Sequence, residues 1–150
     1  MVVKTECRSG GQHAVQFYGH DEELAGSGPA AVRTFGFSRD APAAARHFAV
    51  VALHRWGIAD LADDVALVVT ELAANAIRHA QSGFRVILSS GRDAVRIAVR
   101  DASPLPSSGS GPALPAEPLH GLGAVNAMTS HWGVESLGSS GKTVWVELRR

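Results

Sequence analysis

Glu71-Leu72-Ala73-Ala74-Asn75-Ala76-Ile77-Arg78-His79-Ala80 closes a stretch whose apolar positions repeat at helical spacing, with polar residues set at its margin. Upstream, Leu61, Val65 and Val68 join Leu72 and Ala76 in the four-three spacing of one buried stripe. At about 100° per residue, Glu71 and Asn75 fall on the edge of that stripe, one turn apart and adjacent on one face. A carboxylate and a carboxamide at the edge of a buried surface need partners. The first supplies a base or an anion, and the second a neutral oxygen that suits a hard cation such as Mg2+. A purely structural account pairs Glu71 with Arg78 and lets Asn75 cap a nearby loop. The helix alone leaves both accounts open. His79 lies on the stripe itself and reads as a satisfied core residue, since nothing near it has zinc-ligand spacing.

The rest of the chain organises around this helix. Asp60 is its expected N-cap, with Asp63 three residues later as an acidic variant of the capping box, and the helix should end near residue 80. Before it, Ser38 or Asp40 can cap a first helix over residues 43–56, with Pro42 in the first turn and Gly57 as the stop. Residues 32–37 alternate as a short edge strand. Residues 84–90 and 94–100 have period two and are joined by Gly91-Arg92-Asp93, which predicts an antiparallel hairpin.

Residues 102–119 hold five of the chain's seven prolines, and a loop of that length inside a domain reads as a functional lid or as disorder. A short helix over 121–129 and a second hairpin, 132–137 with 143–148 about a turn at 138–141, complete the order. Together these elements predict an α/β (α+β) two-layer sandwich, with helices on one face of a largely antiparallel sheet. Residues 1–30, rich in glycine and polar side chains, read as a flexible N-terminal arm or the remnant of another module's first strand, around an amphipathic island at 13–18. The domain proper is then expected over 31–150.

Composition narrows the function classes. A 150-residue chain that is 45% hydrophobic and 19% charged suits one globular domain. Fourteen basic and 14 acidic residues give a formal net charge of +0, so there is no electrostatic footprint for nucleic acid or an anionic membrane. Cys7 is the single cysteine, which excludes an internal disulfide and a cysteine-based metal cluster. The N-terminus lacks a signal-peptide core, and residues 48–80 are interrupted by charges, so the expected compartment is the cytoplasm.

The segment at 71–80 resembles the N-box of the GHKL (Bergerat-fold) ATPases, and three further stretches follow in that family's order. Val99-Arg100-Asp101-Ala102-Ser103-Pro104 is similar to the first glycine box in its anti-sigma form. His120-Gly121-Leu122-Gly123-Ala124-Val125 resembles the second glycine box, and Gly141-Lys142-Thr143-Val144-Trp145 the final strand motif. The likeness spans about residues 32–148 and is nearest to the anti-sigma-factor serine/threonine kinases.

The resemblance implies a Bergerat-type mixed, largely antiparallel sheet with an ATP lid, and it implies roles. Asn75 binds the Mg2+ that bridges the phosphates of ATP, which needs only one or two protein ligands. Glu71 is the general base for a seryl hydroxyl. Asp101 accepts from the exocyclic amine of adenine, and Thr143 supports that end of the pocket through its hydroxyl. Gly121, Leu122 and Gly123 bring free amides at a helix N-terminus close to the phosphates. Leu119 and His120 depart from the family, standing where many relatives carry glycine and arginine, which removes a fixed positive charge near the triphosphate.

The implied partners are a sigma factor, sequestered directly, and a STAS-type antagonist that is phosphorylated. No direct nucleic-acid contact is implied, and relatives often form homodimers. A non-catalytic ATP-binding interaction module of the same fold is the alternative. A sensor histidine kinase fragment fits less well, because its phosphoacceptor helices have no place in the chain.

Overall fold

Seven strands hydrogen-bond into one sheet, and two helices lie against it, in a computed structural model that describes residues 3–8, 11–16, 28–102 and 129–150. Chain order is β1 (Val3–Arg8), β2 (Gly11–Gln16), β3 (Ala30–Phe35), α1 (Ala41–Arg55), α2 (Ala62–Ala80), β4 (Phe84–Ser90), β5 (Ala94–Asp101), β6 (Thr129–Ser136) and β7 (Lys142–Arg149). The spatial order is β2-β1-β6-β7-β5-β4-β3, and every pairing between described strands is antiparallel. This is the two-layer α+β arrangement that the sequence predicts.

Strand alternation sorts the sheet into two faces. Phe84, Val86 and Leu88 of β4, Val95, Ile97 and Val99 of β5, and Val144, Val146 and Leu148 of β7 share one face through the strand register. All nine are buried and meet Leu61, Val65, Val68, Leu72 and Ala76 in a single core. Full burial of such side chains contributes roughly 1.5–3 kcal/mol each, which is why period two in the strands and four-three spacing in α2 must coincide. Ala41, Ala45, Ala49 and Ala52 are the buried positions of α1 along with Leu53. Small side chains at these positions let α1 lie close to α2. Phe35 stacks on Phe84 at 5.4 Å and meets Phe48 edge-on at 6.0 Å, which ties β3 to α1.

Boundaries follow local chemistry. Pro42 sits in the first turn of α1, where its missing N–H costs nothing. The helix starts at Ala41 with Asp40 as N-cap, whose side chain makes no capping bond; the Ser38 hydroxyl instead accepts from the Asp40 amide at 3.1 Å. At the other end Gly57 has φ 71°, with Gly57 N–H bonded to His54 O and Ile58 N–H to Leu53 O. These two bonds form the Schellman stop that the glycine predicts.

Two expectations are corrected. Asp60 does not cap α2: it lies inside a 3-10 turn, Ala59–Leu61, and Leu61 is the N-cap with no side-chain bond. The backbone of that turn supplies the lead-in, and Asp63 and Asp64 answer the positive helix end from within the first turn. The edge strand begins at Ala30 and ends at Phe35, two residues earlier than expected at each end, because its register follows β4 from Ser89 to Phe84. Residues 3–8 and 11–16, in the stretch read as a flexible arm or as the remnant of another module's first strand, form a hairpin whose first strand pairs with β6 from Val3↔Ser136 to Arg8↔His131. The lid at 102–119 lies outside the described residues beyond Ala102, as does the helix expected over 121–129 except for Thr129, which begins β6. Among the described residues no helix is long and apolar enough to cross a membrane.

Candidate functional site

One end of the sheet collects the polar residues of interest. α2 ends at Ala80, and the chain turns within a few residues into Phe84, the partner of Asp101 at the end of β5. Asp101 in turn pairs with Lys142 at the start of β7. The C-terminal end of α2, the end of β5 and the start of β7 therefore share a rim.

On α2, Glu71 and Asn75 are both half-buried, beside the buried Leu72 and Ala76. Arg78 Nη2 donates to Asn75 Oδ1. The guanidinium thus meets the amide, in place of the Glu71–Arg78 pair that a structural account of the helix offers.

Asp101 has the parity of Val95, Ile97 and Val99, so its carboxylate points to the helix side of the sheet, and only 6% of the residue is exposed. A buried carboxylate is costly unless it is paired. Here the Lys142 ammonium donates to Oδ1 at 3.1 Å and to Oδ2 at 3.0 Å. Gly141, with φ 119°, brings the entry of β7 against the end of β5 and sets the height of that pair.

Thr143 lies elsewhere. Its register partner is Arg100, so alternation turns its side chain to the sheet face opposite Asp101. Its hydroxyl lies at the same end of the sheet as Asp101 but on the other face, and Lys142 is the residue of β7 that reaches the carboxylate. A signal for Lys142 was present in the sequence: Val144, Val146 and Leu148 form the inward stripe of the last strand, and a lysine in step with such a stripe needs a buried counter-charge. Gly121, Leu122 and Gly123, with Leu119 and His120, lie outside the described residues.

The donor set fits a magnesium nucleotide in chemical terms. Asn75 offers a neutral hard oxygen, Glu71 a carboxylate one turn away, and Asp101 a buried acceptor at the end of β5. Among the described residues no cluster of three or more His, Cys, Asp or Glu forms an all-protein metal cage.

The opposite face carries a separate polar group. The Arg96 guanidinium lies 4.2 Å from the Trp145 ring centroid and 3.5 Å from Glu147 Oε1, and His131 Nδ1 is 3.4 Å from Glu147 Oε2.

The family model described as histidine kinase-like ATPase domain matches residues 38–148. No curated protein matches the chain. The matched interval contains α1, α2 and strands β4 to β7, with the N-box helix packed on the sheet core and the buried aspartate at the end of β5. The chain belongs to the histidine kinase-like ATPase family, an ATP-binding fold of the GHKL type.

Proposed function

We propose that this chain is a regulatory serine/threonine protein kinase of the anti-sigma type. The observations that support the reading are Glu71 and Asn75, half-buried one turn apart on α2, and the buried Asp101 at the end of β5. In this reading Asp101 would accept a hydrogen bond from the exocyclic amine of adenine, and Asn75 Oδ1 would be a ligand of Mg2+. The cation, when bound, neutralises charge on the phosphates. Glu71 takes the proton of the attacking seryl hydroxyl as the new O–P bond forms and the bond to ADP breaks. Gly121, Leu122 and Gly123 supply backbone amides to the phosphates. The protein substrate is a STAS-type antagonist, and a sigma factor is held when that antagonist is absent.

Labelled Mg-ATP, incubated with the protein and candidate antagonists, should yield phosphoserine. Glu71→Gln should lower the rate roughly 10²–10⁴-fold, the usual contribution of a general base, while ATP binding persists. ATP binding by the wild type without label in any antagonist would remove the kinase assignment.

A second reading is favoured by a specific observation: Asn75 and Asp101, the groups assigned to cation and base, are each held by a cation of the chain itself, Arg78 and Lys142. A domain of this kind binds ATP as a structural ligand and acts by docking. Tight binding with no turnover in the same assay identifies it.

A further inference from the structure

β3 pairs with β4 on one side, and no described strand lies across its other edge. Ser90 N–H donates to Pro29 O at 2.9 Å, and the β3–β4 register sets these two residues opposite each other. Antiparallel pairing alternates bonded and non-bonded pairs. The backbone groups of Ala31, Arg33 and Phe35 therefore turn toward β4, and the N–H and C=O groups of Ala30, Val32 and Thr34 turn outward. Ala30, Val32, Arg33 and Thr34 are all exposed, Val32 to 57%, so this row is open to a ligand.

Of the devices that blunt a sheet edge, β3 has neither a bulge nor an internal proline, and only charge is present. That charge is one-sided. Residues 28–40 and 84–90 carry Arg33, Arg39 and Arg85 against Asp40 alone, in a chain of formal net charge +0. Arg85 stands opposite Thr34, and its Nε donates to Thr34 Oγ1 at 3.4 Å, so its side chain leans toward the edge on the outer face of the sheet. Arg33 stands opposite Val86 on the helix-side face, with its guanidinium 5.4 Å from the Phe35 ring centroid. The open edge is thus flanked by an arginine on each face. β3 laid against β3 of a second copy would set one basic flank on another, which like-charge repulsion opposes.

We propose that the outer edge of β3 docks an extended acidic segment of a partner protein, which joins the sheet as a further antiparallel strand. The outward groups of Ala30, Val32 and Thr34 bond its backbone. Its residue opposite Thr34 meets Arg85 on the outer face, and the next, opposite Arg33, meets that arginine on the helix side. The one after lies against Val32. The matching sequence is two consecutive carboxylates followed by an apolar β-former, with the exposed ion pairs setting partner choice more than affinity. The site uses none of the groups assigned to the nucleotide, so it stands or falls apart from the kinase reading.

Fluorescence anisotropy at low salt, with the full chain and labelled peptides of about ten residues built around Glu-Glu-Val, tests it. Wild type should bind the acidic peptide saturably, and at least roughly tenfold more tightly than its Lys-Lys-Val counterpart. N-methylation of the peptide amides that face β3 should weaken binding at least roughly tenfold, since those bonds are then lost. Val32→Pro removes an outward donor and no bond to β4, and should weaken binding by a similar factor. Arg33→Glu combined with Arg85→Glu should reverse the preference in favour of the lysine peptide. No saturable binding at about 1 mM peptide, equal binding of the two peptides by wild type, or indifference to N-methylation overturns the proposal. A wild-type dimer that Val32→Pro dissociates and the acidic peptide leaves intact makes a second copy the occupant, and overturns it as well. If thermal melts show that Val32→Pro does not fold, the N-methylated peptide and the double arginine variant decide.

Discussion

Arg78 donates to Oδ1 of Asn75, one turn earlier on α2, so the oxygen best suited to a cation is already shared with a guanidinium. A hydrogen bond between side chains contributes about 1 kcal/mol net, enough to compete with a ligand by a few-fold. Arg78→Ala is expected to strengthen Mg2+-dependent ATP binding about three- to fivefold, since 1.4 kcal/mol corresponds to a factor of ten, and to leave binding in EDTA unchanged. Paired titrations with and without Mg2+ read this directly. Weaker binding in the presence of Mg2+ would show that Asn75 Oδ1 is not the cation ligand.

Gly141 meets the end of β5 at a distance no side chain tolerates. A Cβ built on it would lie 1.9 Å from the Asp101 carbonyl oxygen and 2.8 Å from Ala102 Cα. Its φ of 119° and ψ of −148° also lie in a region open essentially to glycine. Gly141→Ala should cost at least about 2–3 kcal/mol, the sum of backbone strain and displacement. The urea midpoint should fall accordingly, and ATP binding should weaken because Lys142 and Asp101 lose their register. An unchanged midpoint would contradict the close approach.

The sequence made this fold legible where one periodicity ran unbroken. α2, β4 and β5 lie within a residue or two of their expected limits because the apolar period of each runs unbroken toward the helix-side core. Asp60 misled because a capping side chain and a residue in a preceding 3-10 turn have the same composition; only backbone geometry separates them. The strands at 3–8 and 11–16 lack a clean apolar alternation, and their pairing depends on β6, more than a hundred residues later. Thr143 was placed by motif, whereas its face is set by register, and a shift of one residue reverses the face. Lys142 and Thr143 exchange places for that reason alone.

Gln81 caps α2 in the left-handed region, with φ 49° and ψ 36°, and is the one non-glycine residue with positive φ among the described residues. An L-residue there costs about 1–2 kcal/mol relative to right-handed backbone, part of which glycine recovers. Gln81→Gly should raise stability by up to about 1 kcal/mol and Tm by roughly 2–4 °C for a chain of this size. Differential scanning calorimetry checks it, and a lower Tm would argue that the Gln81 side chain contributes more than its backbone loses.

On the sheet face opposite the helices, Trp145 is 2% exposed, with the Arg96 guanidinium stacked over its ring. Arg96→Ala removes both a cation–π contact and the aliphatic stem that covers the indole, at an expected cost of about 1–2 kcal/mol. Tryptophan emission should shift to longer wavelength as Trp145 meets water. Emission and stability both matching wild type would mean that other groups shield the ring.

Three of the seven strands, β1, β2 and β3, precede residue 38, where the family match begins. A polypeptide trimmed to 38–148 would keep the helices and the rim but strip a neighbour from β4 on one side and from β6 on the other. Each newly bare strand would present a row of unpaired N–H and C=O groups, a template for joining another chain. Such a fragment should scatter light and self-associate at concentrations where the full chain does not. The boundary that defines the ATPase motif is therefore not the boundary of the hydrogen-bonded sheet.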